Sequence, residues 1–282
     1  MNLALNVGFY NTKIKSADIM TIHETRARIT TEGNKTIKIG TTLYEVGEGT
    51  RDITDKATND VSTICSKYNI LKYGDQETRL VVALPMNLYL NRMYRESYMQ
   101  SLLGVHSGIV DGVQKMVKVE NCIVYAEGAA AYLKYKPILK DKLIGLIDIG
   151  GNTINCMIFD HGQLIKDSIS TLDLGMVKLE REIRDSLNIN KAWNVQDYEI
   201  RDILENGECK DITDTIIKAH IKKLKNELVE KKWNVDRLTM FVTGGGSITL
   251  KDQLESNFNR IIVSDNGIYD NVEGLYMVAE RG

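Results

Sequence analysis

Three glycine turns, each placed after an apolar segment, are the features of this sequence most suited to chemistry. They lie in the stretches LALNVGFYNTKIK (3–15), LIGLIDIGGNTINCMIFD (143–160) and TMFVTGGGS (239–247). A turn made of glycine and small polar residues presents its backbone N–H groups as a concave array. Such an array can hold phosphate oxygens, because no bulky side chain stands in their way. The pattern therefore indicates phosphate binding.

The first two turns belong to what look like two copies of one motif, in which a strand, a glycine turn and a second strand follow each other. The first runs from Gly8 to Asn11 and the second from Gly150 to Thr153. Two such turns facing each other could grip a triphosphate from both sides, and Lys13 could direct its ammonium group at the β- and γ-phosphates. Either turn alone is equally compatible with a plain hairpin, and Lys13 with a solvated lysine. Their pairing favours the phosphate site.

The third turn follows an apolar strand and opens a helix. Its N–H groups and the helix dipole point at whatever lies beyond the end of the strand. Three successive glycines at such a junction indicate a close approach to the backbone, for which a nucleoside or an α-phosphate is the natural ligand. The alternative is a tight turn with no ligand.

The elements that must position these turns form two α/β lobes. In the first lobe we predict a strand meander over 2–46, a helix over 58–73, a buried strand over 79–85, a helix over 86–104, and a hairpin, strand and helix over 105–135. In the second we predict strands at 143–149, 153–160 and 163–170, helices near 174–188 and 211–232, a strand and helix from 237, and a terminal helix from about 271. The repeated opening suggests an internal duplication.

Composition argues against several other classes of protein. The 36 basic and 38 acidic residues nearly balance, so the net charge produces no overall positive field that would attract nucleic acid. The lysine-rich helix at 211–233 is interpreted as a solvated face, with a patch for an acidic partner or DNA as the alternative.

No apolar run approaches the roughly 20 residues that a membrane helix needs, and the N-terminus does not resemble a signal peptide, so we expect a cytoplasmic protein. The four cysteines have no zinc-type spacing, which favours buried free thiols.

The order of the motifs resembles a known superfamily. An Asn-x-Gly turn at the start, a Glu-Gly helix, an Asp-x-Gly-Gly turn and a late Gly-Gly-Gly turn occur in the order seen in actins, heat-shock chaperone ATPases and sugar kinases. ALPMNLY (83–89), STLDLGMVKL (170–179) and IYDNVEGLYMV (268–278) are similar to segments of the plasmid-segregation actins, the ParM/StbA group. The resemblance spans nearly the whole chain.

This resemblance implies the actin-like ATPase fold, with two α/β lobes related by duplication and a nucleotide cleft between them. Lobe I would comprise 1–135 plus 268–282 and lobe II 136–267. The outer subdomain of lobe II would be reduced and mainly helical, because little more than a few helices fits between Gly175 and Arg237.

The resemblance also implies roles for individual residues, with ATP or GTP and Mg²⁺ as ligands. Asp148 would position Mg²⁺ through water, and Glu127 would orient the attacking water, although a helix N-terminal acid is the plainer explanation of Glu127. The remaining nucleotide contacts implied are Gly8, Phe9, Tyr10, Asn11, Lys13, Gly150, Gly151, Asn152, Thr153, Gly175, Lys178, Gly244, Gly245, Gly246 and Ser247.

Asn6 departs from the family pattern, which has an aspartate at this place. Its amide oxygen can accept a hydrogen bond from a magnesium-bound water, but it lacks the charge that would retain the hydrated ion. We therefore expect nucleotide binding to persist while hydrolysis or the Mg²⁺ requirement shifts. Drift without consequence is the alternative.

The resemblance predicts a filament-forming ATPase that moves plasmid DNA. Its partners would be copies of itself and an adaptor protein bound to a centromere-like DNA site, with no direct DNA binding and no membrane. Two alternatives stay open: a sugar-type kinase of the same superfamily, for which no convincing acceptor-side aspartate is found, and an ATP-dependent regulator that does not polymerise.

Overall fold

The computed structural model describes residues 1–51 and 59–281. In the first part of the chain, six strands of the described residues precede the first helix, as the predicted strand meander requires. The hairpin and separate strand predicted between 105 and the following helix are only two strands, because the second strand of the hairpin continues unbroken to Ala126. The strands are β1 (Asn2–Val7), β2 (Asn11–Lys15), β3 (Met20–Glu24), β4 (Ala27–Ile29), β5 (Thr36–Ile39), β6 (Thr42–Val46), β7 (Glu77–Leu84), β8 (Gly104–Val110) and β9 (Val113–Ala126). The helices are α1 (Asp60–Tyr73), α2 (Met86–Leu90), α3 (Arg92–Leu102) and α4 (Ala129–Leu139).

The second part opens with the same strand, turn and strand. Its strands are β10 (Leu143–Ile149), β11 (Ile154–Asp160), β12 (Gln163–Leu172), β13 (Thr239–Thr243) and β14 (Ile261–Val263). Its helices are α5 (Met176–Lys191), α6 (Ile200–Glu205), α7 (Lys210–Glu230), α8 (Gly245–Thr249) and α9 (Lys251–Asn257), and α10 (Gly267–Glu280) ends the described chain.

Backbone contacts divide the chain into two compact units. Unit 1 comprises Met1–Pro137 and Tyr269–Gly282, and unit 2 comprises Ile138–Ile268. Unit 2 is therefore one continuous segment, whereas unit 1 is built from two separate parts of the chain.

A mixed sheet forms the centre of unit 1. Among the described residues it has nine strands, in the order β3-β2-β1-β7-β9-β8-β5-β6-β4. Strands β1, β7 and β9 run parallel, so their carboxyl ends, Val7, Leu84 and Ala126, lie at one edge. A large apolar core that includes Leu5 covers one face of the sheet, and a smaller one that includes Ala4 covers the other.

The sheet of unit 2 repeats this arrangement with fewer strands. Its order among the described residues is β12-β11-β10-β13-β14, with β10, β13 and β14 parallel. Residues 173–238, all of them described, contain the three helices α5, α6 and α7 and no strand. The prediction of a small helical subdomain in the second lobe is thus confirmed.

Several predicted boundaries need correction. The helix expected over 86–104 is two helices, because Asn91 ends α2 and its side chain caps α3 by accepting the N–H of Tyr94 at 3.2 Å. Gly104 opens β8 and does not end a helix. Helix α4 begins at Ala129 and not near 126, since Gly128 adopts φ +75°. Residue 58 of the predicted first helix lies outside the described residues.

The cysteines are free thiols, as their spacing predicts. Cys65, Cys122 and Cys156 are buried free thiols, Cys209 is half-buried, and burial raises the pKa of Cys65 and of Cys122 to about 12. Across residues 1–51 and 59–281, every helix is too short or too polar to cross a bilayer.

Candidate functional site

The first turn is a tight connection between β1 and β2. The N–H of Gly8 donates to the carbonyl of Asn11 at 3.0 Å, and the N–H of Thr25 on the neighbouring segment donates to the carbonyl of Tyr10 at 2.9 Å. A Cβ atom at Gly8 would lie 2.9 Å from the Asn11 oxygen and 3.2 Å from Nζ of Lys13. The turn therefore requires glycine at this position, and the Lys13 ammonium group lies beside it.

Asn6 and Lys13 are cross-strand partners in the ladder that ends at the first turn. Asn6 is 5% exposed, and it lies on the same sheet face as Ala4, two residues earlier. That face is the one covered by Ala130 of α4 and by Val272 of α10. The position where the family pattern has a carboxylate thus holds a buried amide opposite a cation.

The aromatic side chains of the first turn stack with an arginine. Phe9 and Tyr10 meet edge to face with centroids 5.2 Å apart, and the guanidinium carbon of Arg51 lies 4.7 Å from the Tyr10 ring and 5.8 Å from the Phe9 ring. Arg51 also forms an ion pair with Glu24 at 2.8 Å. These contacts fix the outer side of the turn, and the sequence analysis did not identify Arg51.

Glu127 lies at the edge where the parallel strands of unit 1 end. Its N–H donates to the carbonyl of Leu84 at 2.8 Å, and the N–H of Gly128 donates to Oδ1 of Asn271 at 2.8 Å. Glu127 is half-buried and precedes α4. The backbone of Glu127 is thus held by β7, and that of the next residue by α10.

The second turn reproduces the geometry of the first. The N–H of Gly150 donates to the carbonyl of Thr153 at 2.9 Å, and a Cβ atom at Gly150 would lie 2.9 Å from the Thr153 oxygen. The two strand–turn–strand hairpins therefore share the same hydrogen bond within the turn, in agreement with the predicted duplication.

The amino end of α5 packs onto this second turn. The N–H groups of Met176 and Val177 donate to the carbonyls of Gly150 and Gly151 at 3.1 and 2.8 Å. A Cβ atom at Gly175 would lie 2.3 Å from the carbonyl carbon of Asn152. Gly175, which the resemblance places among the nucleotide contacts, thus also has a packing role that requires glycine.

Asp148 occupies the centre of unit 2, at the end of β10. Its cross-strand partner on β11 is Asn155, and its neighbour on β13 is Thr243. Asp148 is 4% exposed, and Thr171 donates its hydroxyl to Oδ1 of Asn155 at 3.1 Å. Burial and the nearby Asp148 carboxylate both raise the pKa of the Cys156 thiol. The Asp148 side chain is therefore buried beside polar side chains of the two neighbouring strands.

The third turn packs closely against Asp148. Gly244 adopts φ +87°, and a Cβ atom there would lie 2.4 Å from the carbonyl oxygen of Ile149 and 2.5 Å from Oδ1 of Asp148. The Ser247 hydroxyl is buried and donates to the carbonyl of Gly244 at 2.8 Å, so it stabilises the turn. A Cβ atom at Gly246 would meet Met176 at 2.8 Å. The third turn is thus packed against both the Asp148 strand and α5.

Two other predicted groups lie at the surface. Lys178 is half-buried, and its Nζ donates to the Asp173 carbonyl at 3.2 Å. Within the segment predicted as a lysine-rich helix, Lys222 and Lys223 of α7 and Lys231 and Lys232 just after it are exposed, as a solvated face predicts. The structure thus gathers Asp148, the second turn, the third turn and Gly175 in unit 2, and Asn6, the first turn, Lys13 and Glu127 in unit 1.

The donor set fits a nucleotide-bound Mg²⁺ better than a resident metal. In the described part of the chain, no group of three or more His, Cys, Asp or Glu side chains is placed to hold a metal ion. Mg²⁺ keeps several waters and needs one or two carboxylates when phosphate oxygens supply other ligands. Asp148, with Asn155 and Thr243 beside it, offers such a partial set.

Asn155, Thr243 and Met176 were missed by the sequence analysis. The first two follow from the register, because a residue opposite Asp148 across a hairpin and one beside it on a parallel strand share its face. Alternation along INCMIFD could have identified Asn155. Met176 and Gly175 act through tertiary packing, for which the sequence carries no local signal.

Comparisons with known proteins agree with the fold described above. Residues 4–129 match the family model described as the N-terminal domain of actin-like proteins. No curated protein sequence matches the chain significantly. The fold is similar to that of Ta0583, an archaeal actin homologue, with a TM-score of 0.87 at 14% identity, covering 100% of this chain and 99% of the other.

Two further solved structures have the same fold. The ADP complex of Ta0583 matches with a TM-score of 0.84 at 16% identity, over 100% of this chain and 99% of that one. A 15-stranded ParM filament from Clostridium botulinum matches with a TM-score of 0.82 at 16% identity, again over 100% and 99%. At these identities the likeness establishes a shared fold.

Proposed function

From the premise that this chain has the actin-like fold, we propose that it is a nucleotide-dependent protein that assembles with copies of itself into filaments and hydrolyses ATP or GTP. Support comes from a filament and a nucleotide complex among proteins of the same fold. The structural observation that carries the proposal is the repeated turn, in which Gly8 and Gly150 make the same hydrogen bond at the end of the first strand of each sheet.

The residues around the turns suit a triphosphate. Backbone N–H groups in both turns, with the Lys13 ammonium group beside the first, would neutralise phosphate charge. Mg²⁺, when bound to the nucleotide, would supply further charge neutralisation, and Asp148 would hold it through water. Glu127, fixed by the Leu84 carbonyl, would orient the attacking water. Such positioning and charge stabilisation make up most of phosphoryl-transfer catalysis.

Asn6 is the feature that should distinguish this chain from relatives with aspartate at that place. A carboxylate at position 6 would lie across the ladder from Lys13, where it could attract both that ammonium group and hydrated Mg²⁺. We expect Asn6→Asp to change the hydrolysis rate or to lower the Mg²⁺ concentration required for half-maximal hydrolysis. An unchanged rate and an unchanged Mg²⁺ requirement would contradict this role.

We further propose that the filaments move plasmid DNA through an adaptor protein bound at a centromere-like site. This part rests on the similarity to the ParM/StbA group, and one neighbour in fold is a ParM filament. Contact with DNA would be indirect, in agreement with the near-zero net charge, and the protein would work in the cytoplasm.

Light scattering tests the proposal most directly. Mg-ATP, Mg-GTP or Mg-ADP is added to the purified protein, and phosphate release is followed in the same sample. We expect scattering to rise with a triphosphate and phosphate release to follow. Asp148→Asn, which keeps the side-chain size and removes the charge, should abolish or strongly slow phosphate release. Flat scattering over a wide protein concentration range would refute the filament, and ADP production that requires a sugar acceptor would favour the kinase.

A further inference from the structure

A buried histidine of unit 2 contacts the segment that supports the second turn. His220 lies on α7 and is 2% exposed, and its Nε2 is 2.9 Å from the carbonyl oxygen of Leu174. A carbonyl oxygen only accepts, so the ring donates from Nε2 and carries its proton there. The hydrogen bond joins the middle of α7 to the residue before Gly175.

From Leu174 the contacts continue to the second turn without a gap. Gly175 packs against the Asn152 backbone, and the next two residues donate their N–H groups to the carbonyls of Gly150 and Gly151. Met176 also packs against Gly246 of the third turn. The segment 174–177 is therefore a shared support for the second and third turns, and His220 holds its first residue.

The second ring nitrogen of His220 has no comparable contact. Nδ1 is buried and has no hydrogen-bond partner among the described residues. Burial lowers the pKa of His220 below its usual value, the Leu174 carbonyl and Glu182 oppose that shift, and the charges of Lys223 and Lys178 add to it. At neutral pH the ring is uncharged. Protonation would place a second N–H where no acceptor lies, which is unfavourable in a buried site.

We propose that His220 is a positioning residue for the second phosphate turn: it fixes the Leu174 carbonyl, and through residues 175–177 it sets the geometry of Gly150–Asn152. The three-helix segment α5–α7 is thereby coupled to the second turn, so a displacement of α7 changes the backbone geometry of that turn. The functional meaning of this coupling rests on the proposed nucleotide site, whereas the coupling itself can be measured without nucleotide.

Hydrogen exchange of the Met176 and Val177 amides in the nucleotide-free protein tests the coupling. We expect His220→Phe, which keeps a planar ring and removes the donor, to reduce the protection of both amides about tenfold. His220→Gln, which keeps a side-chain N–H, should stay within about threefold of the wild type. Ile221→Val is the matched control, because it removes a methyl group from the adjacent buried side chain and leaves the His220 ring in place.

Three results would overturn the proposal. Protection of both amides could be unchanged in His220→Phe, which would show that the hydrogen bond does not hold the segment. The loss could be equal in Ile221→Val, in which case any loosening of α7 would suffice. His220→Gln could lose as much protection as His220→Phe, which would show that the donor is not what matters.

The pH dependence of nucleotide affinity tests the functional consequence. The dissociation constant of Mg-ADP is measured by calorimetry from pH 7.5 to 5.5 for the wild type and for His220→Gln. We expect affinity to fall more steeply in the wild type than in His220→Gln toward the acidic end of this range, by about threefold, because only the wild type protonates this ring. Titration of the nucleotide itself is common to both proteins and cancels. Parallel profiles would overturn the coupling to the site, whereas absence of ADP and GDP binding in the wild type would refute the proposed function and leave the exchange result intact.

Discussion

Replacing Gly244 with alanine should disrupt unit 2 far more than the same change at Gly245. At Gly244 the backbone has φ +87° and ψ 163°, a region that costs a residue with a Cβ about 1–3 kcal/mol. The added Cβ would lie 2.4 Å from the Ile149 carbonyl oxygen, where contacts under 3.0 Å are essentially never seen, so backbone must move. With overpacking of about 1–3 kcal/mol added, we expect a loss of about 2–6 kcal/mol in the free energy of unfolding.

Gly245 provides a matched control in the next residue. Its Cβ would have the Ile268 side chain as nearest neighbour at 3.9 Å, an ordinary contact distance, and Gly245 is the first residue of α8, where alanine is accepted without strain. Gly245→Ala should therefore be as stable as the wild type or slightly more so.

Urea unfolding followed by tryptophan fluorescence is the assay, because both tryptophans, Trp193 and Trp233, lie in unit 2. With a slope of about 1.5 kcal/mol per molar urea, Gly244→Ala should lower the midpoint by about 1–4 M or leave no folded baseline. A shift below about 0.5 M, or an equal loss in Gly245→Ala, would refute the steric reasoning.

Three further predictions concern the supports of the turns. Gly175→Ala should lower the urea midpoint and weaken nucleotide binding, because its Cβ would overlap the second turn, and wild-type values in both assays would contradict this. Asp270→Ala should cost about 2–3 kcal/mol in unfolding calorimetry, since it leaves Lys134 without the fully buried carboxylate 2.7 Å away, although Lys134 keeps a second acidic partner. Burial lowers the pKa of His23, so its contribution to stability is full above about pH 6.5 and falls as the pH drops below that value. In His23→Gln the loss of stability between pH 7.5 and 5.5 should be smaller, and an equal loss would contradict the assignment.

The strand, turn and strand of each lobe could be predicted from the sequence because its signals are local. Alternating apolar residues mark the strands, and glycine marks the turn, so β10, β11 and the second turn lie close to their predicted positions. The duplication was visible for the same reason. The two equivalent hydrogen bonds, from Gly8 and from Gly150, then follow from a common turn geometry.

The parts that the sequence did not predict depend on contacts between distant residues. Helix α6 and strand β14 are six and three residues long, too short for a periodic pattern to develop. Gly175 was assigned to ligand contact, and its packing on Asn152 depends on how the start of α5 lies against a turn more than twenty residues earlier in the chain. Nothing near position 220 in the sequence indicates that a histidine there meets Leu174.

The path of the chain sets the order in which a ribosome can complete the two units. Unit 2 is continuous, so the nascent chain holds all of it before α10 is made. The core of unit 1 can be completed only after α10 has been made, because Val272 and Leu275 of α10 cover the sheet face that includes Val81. Until then an apolar face is open to solvent and to chaperones. The turn that carries Glu127 is also incomplete, since the amide of Gly128 finds its acceptor 143 residues later. The segment that carries Glu127, the proposed catalytic residue, therefore reaches its final hydrogen bonding only after nearly the whole described chain has been synthesised.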